Sequence, residues 1–217
     1  MTALAGSLVE HLHPDKPKKR VICLNLNEQD RFGHSIFNLL LNSHKKELAL
    51  ALWNAGADEM KADKDGDIPL LQAIRGQHTE LVMAIVAAMV ADGRAETDLN
   101  LYPEAECGKY SAFSLAAVLS DVKIVEAMLK AGGNPLSQDN CVGETPLYYT
   151  SELSRADVVE LMLEFIPNVL PESPCGGLLA DAYYAVPNAA SNSSSQQICR
   201  MIEEKRKAIW PNAHWNP

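Results

Sequence analysis

A repeat with a period of 33 residues is the sequence feature that most constrains the fold of this chain. The stretch that begins at Asp30, "DRFGHSIFNLLLNSHKKELALALWNAGADEM", aligns with "DKDGDIPLLQAIRGQHTELVMAIVAAMV", which begins at Asp63. Two further copies follow, because "DVKIVEAMLKAGGNPL" at 121–136 aligns with "RADVVELMLEFIPNVL" at 155–170. A period of this length is typical of repeats that bury a continuous core only when they stack on their neighbours.

Each copy has the pattern of a turn followed by two short helices. Asp63 and Gly66 suit a tight turn, since glycine permits positive φ and aspartate can bind its own backbone. Pro69 is tolerated at the first position of a helix and predicts a helix that begins there. Helices this short are marginal in water when isolated. We therefore expect an all-α stack of about four to five helix-turn-helix units.

Three segments carry a family resemblance: "GETPLYYTSELSRADVVELML", "KKELALALWNAGADEM" and "KIVEAMLKAGGNP". They resemble ankyrin repeats, whose unit is a β-turn, two antiparallel helices and a loop. The resemblance covers about residues 30–170 and implies an all-α ankyrin-repeat solenoid with atypical caps. Ile36 and Ala112 stand where the family has proline. Non-glycine residues replace the glycine between the helices, and we expect each to weaken its turn: His44, Gln77, Ser120 and Ser154.

An insertion of about ten residues interrupts the repeats near 92–108. It is interpreted either as a tolerated loop, because loop entropy grows slowly with length, or as a protruding finger that carries Leu99, Leu101 and Tyr102. Leu4, Leu8 and Leu12 are spaced as in an amphipathic cap helix. The predicted organisation is a cap helix and basic linker (1–29), four repeats (30–62, 63–105, 106–139 and 140–170), and a degenerate capping repeat with a tail (171–217).

Charge and cysteine content limit the function classes. The formal net charge of -9 argues against a general nucleic-acid binder. The basic run "KPKKR" at 16–20 fits a nuclear-import signal, a docking patch or a solvated linker. Five widely spaced cysteines without a CxxC pair favour a reducing compartment and no zinc site. We expect a monomeric cytoplasmic or nuclear protein with no metal, cofactor or membrane span.

Catalytic patterns are missing from the sequence. It contains no GxSxG, no glycine-rich phosphate loop and no paired-carboxylate motif in a suitable setting. The sequence therefore predicts a protein that is not an enzyme and that binds another protein. Two alternatives stay open: a bacterial or viral effector that engages host proteins in the host cytosol through the same repeats, and an enzyme site in the nonrepetitive ends, above all in 171–217.

The resemblance implies that the concave face binds the partner, because this face is the usual protein-binding surface of ankyrin repeats. Aromatic and arginine side chains dominate interface energies, so Phe32, Tyr110 and Arg75 are the strongest individual predictions. Val118, Leu119, Val142 and Leu153 form either an exposed apolar patch or an inward-packed layer. The full predicted set is Arg31, Phe32, His34, Asn42, Lys64, Asp65, Asp67, Arg75, Tyr110, Val118, Leu119, Val142, Glu144, Glu152 and Leu153.

Overall fold

A computed structural model describes residues 25–43, 45–102, 110–167, 175–187 and 193–211. The predictions that concern the N-terminal cap helix, the "KPKKR" run, His44 and residues 103–109 lie outside these ranges. Eleven α-helices and no β-strand occupy the described ranges, apart from an isolated bridge between Gln29 and Ser35.

Ten of these helices form five consecutive pairs, and the remaining helix, α5, lies in the insertion. The first helices of the pairs stack on one another in chain order, and so do the second helices. The expected all-α solenoid of stacked helical units is confirmed. The helices are α1 Ile36–Asn42, α2 Lys46–Asn54, α3 Pro69–Arg75, α4 Thr79–Ala91, α5 Ala95–Asn100, α6 Ala112–Leu119, α7 Val122–Lys130, α8 Pro146–Glu152, α9 Ala156–Phe165, α10 Cys175–Tyr184 and α11 Ser193–Ile209.

Capping residues explain where the first helices begin. Pro69 is the first residue of α3, as predicted, and Pro146 opens α8 in the same way. Two first helices without an opening proline, α1 and α6, begin after a serine. The hydroxyl of Ser35 accepts the backbone N–H of Asn38, and Ser111 accepts that of Ser114. Such a cap stabilises a helix start by about 1 kcal/mol and so compensates for the absent proline.

Apolar residues recur at helical spacing within the repeats, a pattern that predicts a buried core between the helices. Leu70, Leu81, Ile85 and Met128 are at most 2% exposed. Burial of each such side chain contributes about 1.5–3 kcal/mol. Trp53 lies at the edge of this layer, half-buried, and its indole N–H donates to the Glu59 carboxylate at 3.0 Å. The other predicted core residues are also buried: Ala73, Val82, Leu115, Ala116, Ile124, Val125 and Leu129.

We expect a turn between paired helices to be weakened wherever another residue replaces its glycine, and the described turns follow this expectation only in part. Gln77 and Ser154 have φ of 52° and 58°, which is the left-handed region that glycine adopts without strain. Ser120 instead has φ of -92° and an extended backbone. The guanidinium of Arg155 donates to the carbonyl oxygens of Ala117 and Ser120 at 2.6 and 2.8 Å and holds this turn.

The insertion is not a protruding finger in its described part, which corrects that interpretation. Leu99 is 0% exposed and Tyr102 is 9% exposed, whereas Leu101 is 54% exposed. Helix α4 continues past Met89, where the first and third repeats have Gly56 and Gly132, and α5 then packs against α4 and α6. The inserted residues therefore extend one helix and add a short second one.

Polar contacts fasten α5 to the units on both sides of it. Arg94 makes ionic hydrogen bonds to Glu59 and Asp98. Burial opposes the charge on its guanidinium, but these two bonds outweigh burial and raise the pKa of Arg94. At the other end of α5, the Asn100 side chain accepts the Asn134 backbone N–H and donates to the Gly132 carbonyl, both at 2.8 Å.

Candidate functional site

Aspartate carboxylates shape the turn tips that precede the first helices. The Asp30 carboxylate accepts the backbone N–H groups of Phe32 and His34. In the second unit, the Asp63 carboxylate accepts the backbone N–H groups of Asp65 and Asp67. Asp139 accepts three backbone N–H groups in the fourth unit. Each tip contains a glycine at positive φ, namely Gly33, Gly66 and Gly143.

The Asp139 carboxylate is buried and has a further side-chain partner. It is 6% exposed, and its second oxygen accepts the Tyr149 hydroxyl at 2.5 Å. Burial alone would raise the pKa of Asp139, but hydrogen bonds from Tyr149 and the three backbone N–H groups lower it below its usual value of 3.8. Burial and the neighbouring Asp139 raise the pKa of Tyr149. The fourth tip is therefore held by a charged carboxylate.

We call the surface formed by the turn tips and the first helices α1, α3, α6, α8 and α10 the inner face. Its first groove, the N-terminal groove, lies between the first two units and has a volume of about 420 Å³. Arg75 and Asp67 form a salt bridge at 2.6 Å across it. The groove brings together five of the predicted residues: His34, Asn42, Asp65, Asp67 and Arg75.

Arg31, Phe32 and Lys64 lie at the tips beside this groove. The guanidinium carbon of Arg31 lies 4.6 Å from the centre of the Phe32 ring, and the ring is half exposed. The backbone N–H of Lys64 donates to the Phe32 carbonyl oxygen at 3.2 Å, so the two tips are joined. Gly33 allows this approach, because a Cβ there would lie 2.6 Å from the Lys64 nitrogen.

A second groove, the C-terminal groove, lies between the fourth and fifth helix pairs and has a volume of about 310 Å³. The predicted residues Val142 and Glu144 line it from the fourth tip. Tyr148 of α8 faces Asp181 and Tyr184 of α10 across the groove. Leu178 forms an apolar part of the wall and is 8% exposed.

Three of the four predicted apolar residues at the turn tips and at the ends of the first helices are exposed rather than packed into the core. Leu119, Leu153 and Val142 are 43%, 52% and 68% exposed, whereas Val118 is half-buried. Tyr110 is also half-buried, because its ring packs edge-on against Tyr149 with centroids 5.0 Å apart. Leu119 additionally lines a third groove of about 360 Å³ between the second and third units. The last predicted residue, Glu152, is exposed at the end of α8.

Sequence reasoning missed Tyr148, Asp181 and Tyr184. Tyr148 follows the "TPL" start of α8, but the expected partner surface included only the residues at the tips and the helix ends. Asp181 and Tyr184 belong to α10, where the family resemblance is weak. One signal was available, since α10 precedes another helix and a fifth unit would place its first helix beside α8.

Among the described residues of the C-terminal units, burial opposes ionisation of the thiol and hydroxyl groups whose pKa is shifted. Burial raises the pKa of the Cys199 thiol, and it raises the pKa of the Tyr183 hydroxyl as well. A raised thiol pKa lowers the thiolate fraction that attacks a substrate. Within the ranges that the structure covers, no three histidine, cysteine or acidic side chains converge as a group suited to a metal ion.

None of the helices in the described part of the chain is both long and apolar enough to cross a bilayer.

The chain is similar to Rabankyrin-5 from Mus musculus, an ankyrin-repeat protein, with 38% identity over 141 residues. The aligned region covers 62% of this chain and 12% of the relative, so the chain spans a small part of that protein. No family model matches the sequence. The five stacked helix pairs and this similarity together identify the fold as an all-α, ankyrin-like repeat solenoid.

Proposed function

We propose that this protein is a non-catalytic scaffold that binds a partner protein through its inner face. The observation that carries the proposal is the exposure of Phe32, Leu119, Val142 and Leu153 on that face. Single exposed apolar residues are ordinary on a protein surface, but apolar residues that line or border grooves are typical of an interaction site. The similarity to an ankyrin-repeat protein supports the same class of function.

The polar surroundings of these residues suit protein recognition. Arg31 and Phe32 form a cation–π pair at the first tip, and arginine and aromatic residues dominate measured interface energies. Asp67 holds Arg75 across the N-terminal groove, so both side chains are positioned before a partner binds. Side chains that are ordered in advance lose less entropy on binding.

A photo-crosslinking experiment tests the proposal. A benzophenone amino acid replaces Phe32 or Val142 on the inner face, and Met83 or Val90 on α4 in the matched controls. These controls are also exposed apolar residues, 39% and 52% respectively. We expect protein adducts from the two inner-face positions and not from the controls.

The affinity of each variant for the purified crosslinked partner then measures how much the inner face contributes to binding. We expect Phe32→Ala combined with Leu119→Ala to weaken binding by about 2–4 kcal/mol, the range of interface hot spots. Met83→Ala combined with Val90→Ala should leave binding unchanged. Equal adducts from both sets of positions, or equal affinity losses, would refute the inner face as the binding surface.

A further inference from the structure

Negative charge is concentrated in the C-terminal part of the sequence, and two of its acidic residues, Glu144 and Asp181, line the C-terminal groove. Residues 131–199 contain eight acidic residues and one basic residue, a formal net charge of -7 out of -9 for the chain. The single basic residue, Arg155, already donates to the carbonyl oxygens of Ala117 and Ser120. This segment therefore supplies no further arginine or lysine to neutralise the groove.

Three carboxylates act on the hydroxyl of Tyr148, and two of them, Glu144 and Asp181, line the groove. Glu144 belongs to the fourth turn tip, Glu152 ends α8, and Asp181 lies on α10. None of the three forms a salt bridge within the described ranges. Burial raises the pKa of Tyr148, and the charges of Glu144, Glu152 and Asp181 raise it further. The Tyr148 hydroxyl therefore lies in a negative potential produced by both sides of the groove.

The walls of the groove combine these charges with aromatic and aliphatic surface. Tyr148 is half-buried and Tyr184 is 60% exposed. Val142 and Leu178 add aliphatic surface beside the two rings. The groove is open, and its volume of about 310 Å³ is sufficient for a long side chain.

An arginine or lysine side chain matches each of these surfaces. Its methylene stem packs on apolar walls while its charged head stays polar. A cation within about 6 Å of a tyrosine ring gains about 0.5–2 kcal/mol, and a carboxylate accepts charge-assisted hydrogen bonds from the same head. An acidic side chain would be repelled by the same carboxylates.

We propose that the C-terminal groove binds an arginine or lysine side chain from a basic segment of a partner protein. The assignment rests on the proposed function, because it specifies the chemistry of the partner at one end of the inner face. It predicts that the partner carries positive charge opposite the fourth and fifth helix pairs.

Fluorescence anisotropy with labelled peptides and the full chain tests this assignment. The probes are hexa-arginine and hexa-lysine, and hexa-citrulline is the neutral control. We expect both basic peptides to bind and the citrulline peptide not to bind. The stronger of the two basic peptides identifies the preferred side chain. Binding of hexa-citrulline with the same affinity as hexa-arginine would overturn the assignment.

Two pairs of substitutions separate the groove from general attraction to an acidic protein. Glu144→Gln with Asp181→Asn neutralises the groove, and Glu160→Gln with Glu164→Gln makes the same charge change on exposed positions of α9. We expect about a tenfold loss of hexa-arginine affinity for the groove pair and less than about a twofold loss for the α9 pair. Equal losses for the two pairs would overturn the assignment.

The result also separates this assignment from the proposed function. Unchanged peptide affinity in the groove pair, together with inner-face crosslinks at Phe32, removes the groove assignment and leaves the scaffold proposal standing. Crosslinks from Met83 alone would refute the scaffold proposal, whatever the affinities of the peptides.

A peptide of the chain's own residues 14–22 is a final probe. Tighter binding of this peptide than of hexa-arginine would indicate a second copy as the occupant and would overturn the assignment to another protein.

Discussion

Gln77 and Ser154 carry a left-handed backbone that a glycine would adopt with less strain. They end the turns between paired helices, where the family resemblance implies glycine. The side chain of Gln77 is exposed and that of Ser154 is half-buried. The left-handed conformation costs an L-residue roughly 1–2 kcal/mol, so these two positions lower the stability of the stack.

Glycine at either position should therefore stabilise the protein. We expect Gln77→Gly and Ser154→Gly each to raise the free energy of unfolding by about 0.5–1 kcal/mol, after the entropic cost of glycine is subtracted. Ser120→Gly is the matched control, because Ser120 has a negative φ and should lose stability. Urea denaturation measures all three variants. A gain in Ser120→Gly equal to that in Gln77→Gly would contradict backbone strain as the cause.

Asp139 makes the stability of the fourth turn tip depend on pH. Its pKa is lower in the folded protein than its usual value of 3.8, so the folded state favours the charged carboxylate. The resulting stability is fully present above the unfolded-state pKa and is lost as the pH falls through the folded-state pKa. The charged carboxylate accepts hydrogen bonds from the Tyr149 hydroxyl and three backbone N–H groups, and these bonds explain why its pKa is lower in the folded protein.

Asp139→Asn removes this pH dependence while it keeps an oxygen for the backbone N–H groups. We expect the variant to be less stable than the wild type by about 1–3 kcal/mol at neutral pH. The difference should shrink between about pH 5 and about pH 2 as the wild-type carboxylate takes up a proton. Urea denaturation across this range measures both proteins. A constant difference at every pH would show that Asp139 does not titrate as described.

At the scale of elements, α5 converts an insertion into a brace between neighbouring units. Arg94 at its start bonds to Glu59 of the first unit, and Asn100 at its end bonds to the loop of the third unit. A short helix that contacts both neighbours costs less stability than a free loop of the same length, because its backbone groups are already satisfied.

Leu99 and Leu101 provide a matched test of this brace. Leu99 is 0% exposed and Leu101 is 54% exposed, although only one residue separates them. We expect Leu99→Ala to lower the free energy of unfolding by about 2–5 kcal/mol, and Leu101→Ala to change it by less than about 0.5 kcal/mol. Calorimetry or urea denaturation measures the difference. Similar small effects for both would mean that the insertion is a loose loop.

The first unit has an apolar side that the described residues do not cover. Leu48 is 53% exposed, whereas Leu81, Ile124 and Val158 at the equivalent positions of later units are at most 3% exposed. In those units the preceding repeat covers the position. A stack exposes such a surface at its ends unless an atypical element caps it.

The sequence predicts a cap helix within 1–29, which lies mostly outside the described residues, and a cap of this kind would cover such a surface. Replacement of Leu4, Leu8 and Leu12 by serine should then lower the free energy of unfolding by about 1–3 kcal/mol, because apolar area returns to water. Glu10→Ser, on the other side of the same predicted helix, should have little effect. An unchanged urea midpoint in the triple variant would contradict the predicted cap.

The helices could be predicted from the sequence, because the residues that start a helix and the residues that form its buried face all lie within that helix. Pro69 fixes a helix start, and the helical period of Leu81 and Ile85 reports a buried face without knowledge of distant residues. Leu99 and Tyr184 could not be placed this way. Whether Leu99 packs inward depends on α6, and the setting of Tyr184 depends on how α10 stacks on α8. Contacts between units involve residues that are distant in sequence, so the pattern of one segment does not predict them.

At the scale of the whole molecule, stacking aligns the turn tips into one surface. The N-terminal groove carries charges of both signs, including Arg75 and Asp67, whereas the C-terminal groove is lined by acidic residues without a basic one. A partner that spans both grooves would therefore meet different charge at each end. This polarity would fix the direction in which an extended segment binds.

Hydrogen exchange of the protein with and without its purified crosslinked partner tests whether the inner face is the binding surface. We expect slower amide exchange at the turn tips, residues 31–34, 64–67 and 141–144, and unchanged exchange in the outer helices α4 and α7. The tips are the elements that a partner on the inner face must cover. Protection confined to α4 and α7, with no change at the tips, would show that the inner face is not the binding surface.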